Sequence, residues 1–385
     1  MSVHQNALVG GFVDPIGAVL RKYGAQGASS LLIRDFNPRR YIPANSLARL
    51  YKASNGVDPV TADADTIGLV LDESQGAALG AELLGTGAPA LTGTADAATY
   101  DTGTGAGTVH RVDGSNLSSV AFTGLLATAF YLIDLEAVSG AAGVLIRPTS
   151  AGTPASVSVA EGVRRQAIVL ALGGAFYITT GATNPTTSSF VVHSIRLVAG
   201  NHAWQSTAGS RGLIQDVSGR KVWRGDGVDD HLVTGLVPAT SMTMVVACTF
   251  NSAADFILGC KGAGSDRCQI GVTAGGALGG AVGAQTESSI TGGSSILGVP
   301  GVAALAFDGS LVRLFWKPFT GAISKLYEAA QSGVPTTSVA IALGARNLND
   351  TFNAFTNGDM YGGFLTQAAL TDSEIAAVAN AMARG

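Results

Sequence analysis

The chain predicts a mainly β fold: two β-sandwich or jelly-roll domains, a short N-terminal arm and a C-terminal helix. Three observations lead there. Charged residues make up 13% of 385 and glycines number 52, a composition of tight turns rather than of long solvated helices. Short apolar runs recur at a spacing of about 8–12 residues between small polar residues, which is strand-and-turn patterning. One helix signature is strong: Thr371-Asp372-Ser373-Glu374 ahead of Ile375, Val378 and Met382 is a capping box followed by one apolar face.

The elements divide the chain into four parts. Residues 1–46 form the arm. Val19, Leu20 and Tyr23 have helical spacing that stops at Gly24, and Leu31-Leu32-Ile33 is a short apolar run before an arginine-rich stretch, Arg34 to Arg40. That stretch reads as a solvated connector or as an arm docking on a partner subunit. Residues 47–85 read as strands and turns, with Asn55-Gly56 a turn and Ile67 to Asp72 a buried-strand candidate. Residues 86–199 open on a Gly-, Ala- and Thr-rich entrance and carry eight strand candidates, from Val109–Val112 to Ser189–Leu197. Residues 200–385 carry a second series, in which Asp308-Gly309-Ser310 marks a hairpin. Glycine clusters at 275–283 and 291–293 lack the Lys-Ser/Thr partner of a phosphate loop, so they serve turns or close strand packing.

Charge and length exclude several classes. A net charge of −4 disfavours nucleic acid as a partner. The longest apolar run, Val120 to Ile133, falls short of the ~20 residues of a membrane-spanning helix, so no membrane insertion is expected. No N-terminal signal sequence is evident. Cys248, Cys260 and Cys268 form no CxxC motif, so neither a disulfide framework nor a zinc site is expected. Cys260 and Cys268 could pair across a hairpin, but an intracellular assembly history favours the reduced state.

Chemistry-bearing residues are sparse. The five histidines show no metal-binding spacing, and no G-x-S-x-G nucleophile elbow occurs. No metal and no cofactor are expected. Asp226, Asp229 and Asp230 could offer oxygens to calcium, but capping of a local turn is favoured. Arg224-Gly225-Asp226 spells an adhesion tripeptide that short chance matches also produce. Trp223 and Trp316 read as core. Trp204, in the polar stretch Asn201-His202-Ala203-Trp204, is the better exposed contact. The expected ligand surface is therefore formed by the loops carrying Asn201, His202 and Trp204 and Asp226, Asp229, Asp230 and His231.

Several segments resemble phage virion proteins built on a concanavalin A-like, LamG-type sandwich. Trp223 to Leu232 is similar to the F-D-G-x-D-D-x-L strand and turn of that fold. Met360 to Phe364 followed by Ala369 to Ile375 resembles its closing strand, "ALTDAE" turn and terminal helix. Pro59 to Asp63 with Asp72-x-Ser74-x-Gly76 resembles the segment that precedes the sandwich, and Asn201 to Arg211 resumes it, with Gly212 where proline is usual. The intervening stretch resembles a carbohydrate-binding-module-like jelly roll. The resemblance implies 47–85 as the first part of the LamG-like region, 86–199 as an inserted jelly roll whose ends lie close together, and 200–385 as the sandwich.

The function it implies is a virion structural protein without enzymatic activity, a tail-fibre or tail-tip component that binds host-surface glycan or protein. Alternatives are a capsid-decoration or head-fibre protein, and a glycan-degrading depolymerase. The implied partners are other virion proteins, reached through residues 1–46, and further copies of the chain in a homotrimer. The implied location is the virion, assembled in the host cytoplasm.

Overall fold

In the computed structural model, the strand Asn357–Thr366 lies inside an eight-stranded antiparallel sheet, and two segments far apart in sequence share one of its edges. Trp223 to Asp226 pairs with its first half, and Ser30–Ile33 pairs with its second half. The structure describes residues 14–40, 42, 47–85, 89–92, 97–111, 118–149, 156–181, 186–263, 266–286 and 288–384. The chain forms two compact units, one of residues 1–36, 216–228 and 236–385 and the other of residues 37–215 and 229–235.

In the first unit, Met242–Phe250, Gly301–Phe307, Leu311–Pro318 and Ser324–Ala330 extend the sheet from the other edge of Asn357–Thr366. Met242–Phe250 is buried along its whole length, because both faces of the sheet are covered. On one face Val245, Ala247, Val302 and Ala304 pack against Ile375 and Val378 of the C-terminal helix Asp372–Arg384. On the other face Met244 meets Cys268 of a second sheet, Sδ to Sγ 3.7 Å. That sheet contains Phe256–Lys261, Arg267–Val272, Ala277–Gly283 and Ile290–Ser295. Glycines 279 and 280 lie within its strands, and a Cβ on Gly280 would stand 2.9 Å from Leu305, so close strand packing explains this cluster. Cys260 and Cys268 face one another across the first hairpin as buried thiols, and burial raises both pKa values.

The capping box closes as the sequence predicts. Thr371 N–H donates to Glu374 Oε2 at 2.9 Å, and Glu374 N–H donates to Thr371 Oγ1 at 3.3 Å. At the other end of this helix Arg220 donates to the carbonyls of Met382 and Ala383 and stacks on Phe319 and Tyr361. The Asp308 turn is also in place: Asp308 Oδ1 accepts from the N–H groups of Ser310 and Leu311, and Gly309 supplies φ +91°.

Part of the expected arm is built into this unit. The helix Pro15–Gly24, capped by Asp14, places Ile16 and Val19 in the same core as Ile375 and Leu32. Residues 1–13 lie outside the described residues. Among the described residues, no helix is long and apolar enough to cross a membrane.

In the second unit, a five-stranded sheet and a six-stranded sheet enclose a core that includes Val120, Ile133, Leu135, Ile146, Phe176, Ile178, Phe190 and Val192. The six-stranded sheet contains Val163–Ala171, Ala129–Ser139, Thr186–Val198 and Ala106–Arg111 in that order, and Leu79–Glu82 also pairs with Thr186–Val198. Its outer face is half covered. Ile42, Leu47, Tyr51, Leu69 and Leu71 pack on Phe130, Ile168, Leu170 and Val198. Gly56 lies so close to Ile168 that a Cβ there would overlap it at 2.4 Å.

Leu32 is fully buried between the helices and the sheet of the first unit. Leu32→Ala is expected to cost about 2–5 kcal/mol in urea unfolding. Wild-type stability in that variant would mean that residues 30–33 contribute nothing to the folded unit.

Candidate functional site: the open half of a sheet face

Side chains alternate along a strand, so the outer face of the six-stranded sheet can be read row by row. The first row, Leu170, Phe130, Val198 and Leu79, is apolar and covered. The next is transitional: Ile168, Leu132, Arg196 and Glu82. Beyond it the register sets Gln166, Asp134 and Ser194 side by side, then Arg164 beside Glu136. Beyond the apolar cover, this end of the face carries exposed Arg164, Gln166 and Arg196.

The polar groups form connected pairs. Arg164 grips Asp134 with two bonds, Nε to Oδ1 and Nη2 to Oδ2, each 2.9 Å, and Gln166 Nε2 adds a third at 3.2 Å. The hydrogen bond from Arg164 is the main reason the Asp134 carboxyl sits below its ordinary pKa. Because Arg164 reaches diagonally to Asp134, Glu136 is left to His193, whose Nε2 lies 2.9 Å from Glu136 Oε2.

His193 gets there through a β-bulge. Val192 opposes Leu135 and Ser194 opposes Asp134, so His193 is the extra residue and its side chain is re-aimed outward. Glu82 anchors the far side. Burial would raise its pKa, but the N–H of Ile195, the Ser194 hydroxyl, the N–H of Leu84 and Arg196 outweigh burial and hold it at about 2. Val138 is 49% exposed and lies two residues beyond Glu136 on the same face, adding an apolar edge.

Such a surface offers fixed donors and acceptors in one plane next to a C–H-rich edge. Asp134 is itself buried and holds Arg164 and Gln166 in place, so their remaining guanidinium and amide N–H groups can meet hydroxyls without reorganising. A second concavity in this unit, of about 420 Å³, is lined by Leu83, Phe122, Leu125, Leu126, Tyr131 and Leu197. It is mostly apolar, and its Tyr131 hydroxyl already accepts the Leu126 N–H at 3.0 Å.

The residues expected from sequence lie elsewhere. His202 is fully buried. Its Nδ1 accepts the Asp72 N–H at 2.9 Å, so Nε2 carries the proton and donates to the Val198 carbonyl at 3.1 Å. Asn201 N–H donates to Asp72 Oδ2 at 2.8 Å. Asp72 and Asn201-His202, far apart in sequence, are thus in direct contact. Trp204 is half-buried, edge-on to Phe130 at 5.5 Å, in a two-residue strand between Leu69–Val70 and Val233–Thr234.

Asp226 belongs to the first unit and Asp229, Asp230 and His231 to the second. Asp226 accepts the Val228 N–H in a local turn. Asp229 accepts from Ser210 Oγ, Asp230 is 6% exposed, and His231 is buried beside Gln205. Arg224 is held by Asp359 at 2.6 and 2.8 Å within a strand.

Sequence reading passed over Asp134, Glu136, Arg164, Gln166 and Arg196. The signal was the alternation Asp134-Leu135-Glu136 and the polar run Arg164-Arg165-Gln166 in strands otherwise apolar.

No protein-family model matches the chain, and no curated protein matches it. Solved structures similar to it are β-rich. The carbohydrate-binding module CBM40 of the Ruminococcus gnavus IT-sialidase is 17% identical, with a TM-score of 0.29 over 36% of this chain and 83% of that one. An arabinofuranosidase complexed with arabinofuranosyl-α-1,2-xylobiose is 14% identical, with a TM-score of 0.37 over 67% of this chain and 62% of that one. The Trypanosoma rangeli sialidase in complex with the inhibitor DANA is 14% identical, with a TM-score of 0.32 over 47% and 29%. They correct one expectation. Glycosidases stand among the similar structures, so the sequence-based exclusion of enzymatic activity is withdrawn. Nothing further is drawn from likenesses of this size.

Burial lowers the His202 pKa from 6.5 to about 4, outweighing the Val198 hydrogen bond. The unfolded chain therefore binds a proton that the folded chain refuses. This contribution is whole above about pH 6.5 and is lost as the pH falls toward 4. It corresponds to roughly 3 kcal/mol at full size. Urea unfolding from pH 7 to 4 is expected to show that loss in the wild type and a shallower one in His202→Gln. Equal slopes would contradict the assignment.

Proposed function

We propose that the chain is a virion component, of tail-fibre or tail-tip type, that attaches to a host-surface glycan through the open half of the six-stranded sheet face. The single observation carrying the binding part is the row of fixed polar groups, Arg164, Asp134, Gln166, Glu136, His193 and Arg196, beside exposed Val138. Sugars present hydroxyls around a C–H surface, and this face offers the complement. The virion part rests on the sequence resemblance and on a low-charge β composition suited to a rigid extracellular particle. In this reading the chain acts as a homotrimer and reaches other virion proteins through residues 1–46.

A glycan array followed by calorimetry with the best-binding oligosaccharide tests the binding part. Asp134→Asn keeps the shape but releases Arg164, and Arg164→Met removes the fork. Each is expected to weaken binding about tenfold or more, the size of a lost charged hydrogen bond, in protein that remains folded at the assay temperature. Unchanged affinity in both folded variants would remove this face from the reading. The same mixtures, assayed for new reducing ends, report whether bound glycan is also cleaved. Light scattering of the full chain tests the oligomer: a trimeric mass supports it and a monomeric mass contradicts it.

A further inference from the structure

Arg147 ends the strand Val144–Arg147 of the five-stranded sheet, directly opposite Tyr177 on the neighbouring strand. The preceding pair, Ile146 and Ile178, faces the core. By alternation, Arg147 and Tyr177 share the face turned away from it. Arg147 is half-buried, and its Nε is enclosed with no hydrogen-bond partner.

Arg49, Arg267 and Arg313 also bury an unpartnered Nε. Arg49 has Glu73, Arg313 has Asp372, and Arg267 has further interactions of its own. The Arg147 side chain makes no hydrogen bond and no ion pair among the described residues. The charge that acts on it is a like one, that of Arg111, which adds to burial in lowering its pKa.

A guanidinium stays protonated in a protein, so this arrangement cannot relax by losing a proton. Desolvating a charge beside a like charge, without a counter-charge, is unfavourable. Elsewhere in the molecule arginines such as Arg164 and Arg224 are matched to carboxylates by two bonds each. Arg147 has no such match among the described residues, and an external acceptor would complete its fork.

We infer that Arg147, with Tyr177 opposite, forms a binding site for an oxyanion, either the carboxylate of an acidic sugar or a free sulfate or phosphate. The site is separate from the polar face of the six-stranded sheet and does not depend on its role.

Calorimetric or NMR titration of the full chain at low and constant ionic strength tests the inference. The probes are glucuronate, sulfate and inorganic phosphate, with glucose as the neutral control. Saturable binding of at least one anion is expected, with none for glucose, and a loss of about tenfold or more in Arg147→Gln, less in Arg147→Lys. Glucuronate alone would mark a sugar carboxylate as the ligand. Sulfate or phosphate alone would mark an inorganic or ester anion. If Arg147→Gln fails to fold, Arg111→Gln is expected to weaken the same binding. No saturable binding of any of the three anions, or undiminished binding in a folded Arg147→Gln, overturns the inference.

Discussion

The apolar cover that Ile42 and residues 47–77 lay over one half of a sheet face is the constraint on which the second unit turns. A six-stranded sheet already buries one face against the five-stranded sheet. Its other face carries Phe130, Ile168, Leu170 and Val198, which water would leave exposed without Leu47, Tyr51, Leu69 and Leu71. The cover needs a firm root, and Asp72 and His202 supply it. Segments far apart in sequence are tied there by the Asp72 N–H to His202 Nδ1 bond and the Asn201 N–H to Asp72 Oδ2 bond. Where the apolar residues stop, so does the cover, and the remaining end of the face presents Arg164, Gln166 and Arg196, with Asp134 buried beneath Arg164.

The first unit solves a different problem. Its central sheet is buried on both faces, by a helix layer and by a second sheet. Met242–Phe250 is accordingly apolar at alternate and intervening positions alike, with only Thr243 and Thr249 polar. Thr243 pays its way by accepting the Leu370 N–H and donating to the Ala368 carbonyl, which fixes the approach to the C-terminal helix. Ser30–Ile33 completes the edge that Trp223–Asp226 leaves unpaired, so early and late parts of the chain fold as one sheet.

Local chemistry was the legible part. The capping box at Thr371–Glu374, the Asp308-Gly309-Ser310 hairpin and the helix ending at Gly24 each follow from a few adjacent residues, and each is in place. The candidate site was less legible, because it depends on register. Asp134 and Arg164 are 30 residues apart, and only the pairing of two strands brings them together. The bulge at His193 breaks strict alternation, so its outward aim has no signature in sequence. Conversely, the polar stretch Asn201-His202-Ala203-Trp204 resembles a loop, yet there the polar groups hold the backbone of neighbouring segments and Trp204 packs on Phe130.

Hydrogen exchange of the full chain with and without the best-binding oligosaccharide of the array tests the central claim most directly. If the open half-face holds the ligand, protection will rise in residues 129–139, 163–171 and 186–198, concentrated toward Asp134, Arg164 and His193. Protection confined to residues 201–204 and 226–231, with those three strands unchanged, would contradict the account and move the ligand to the turns.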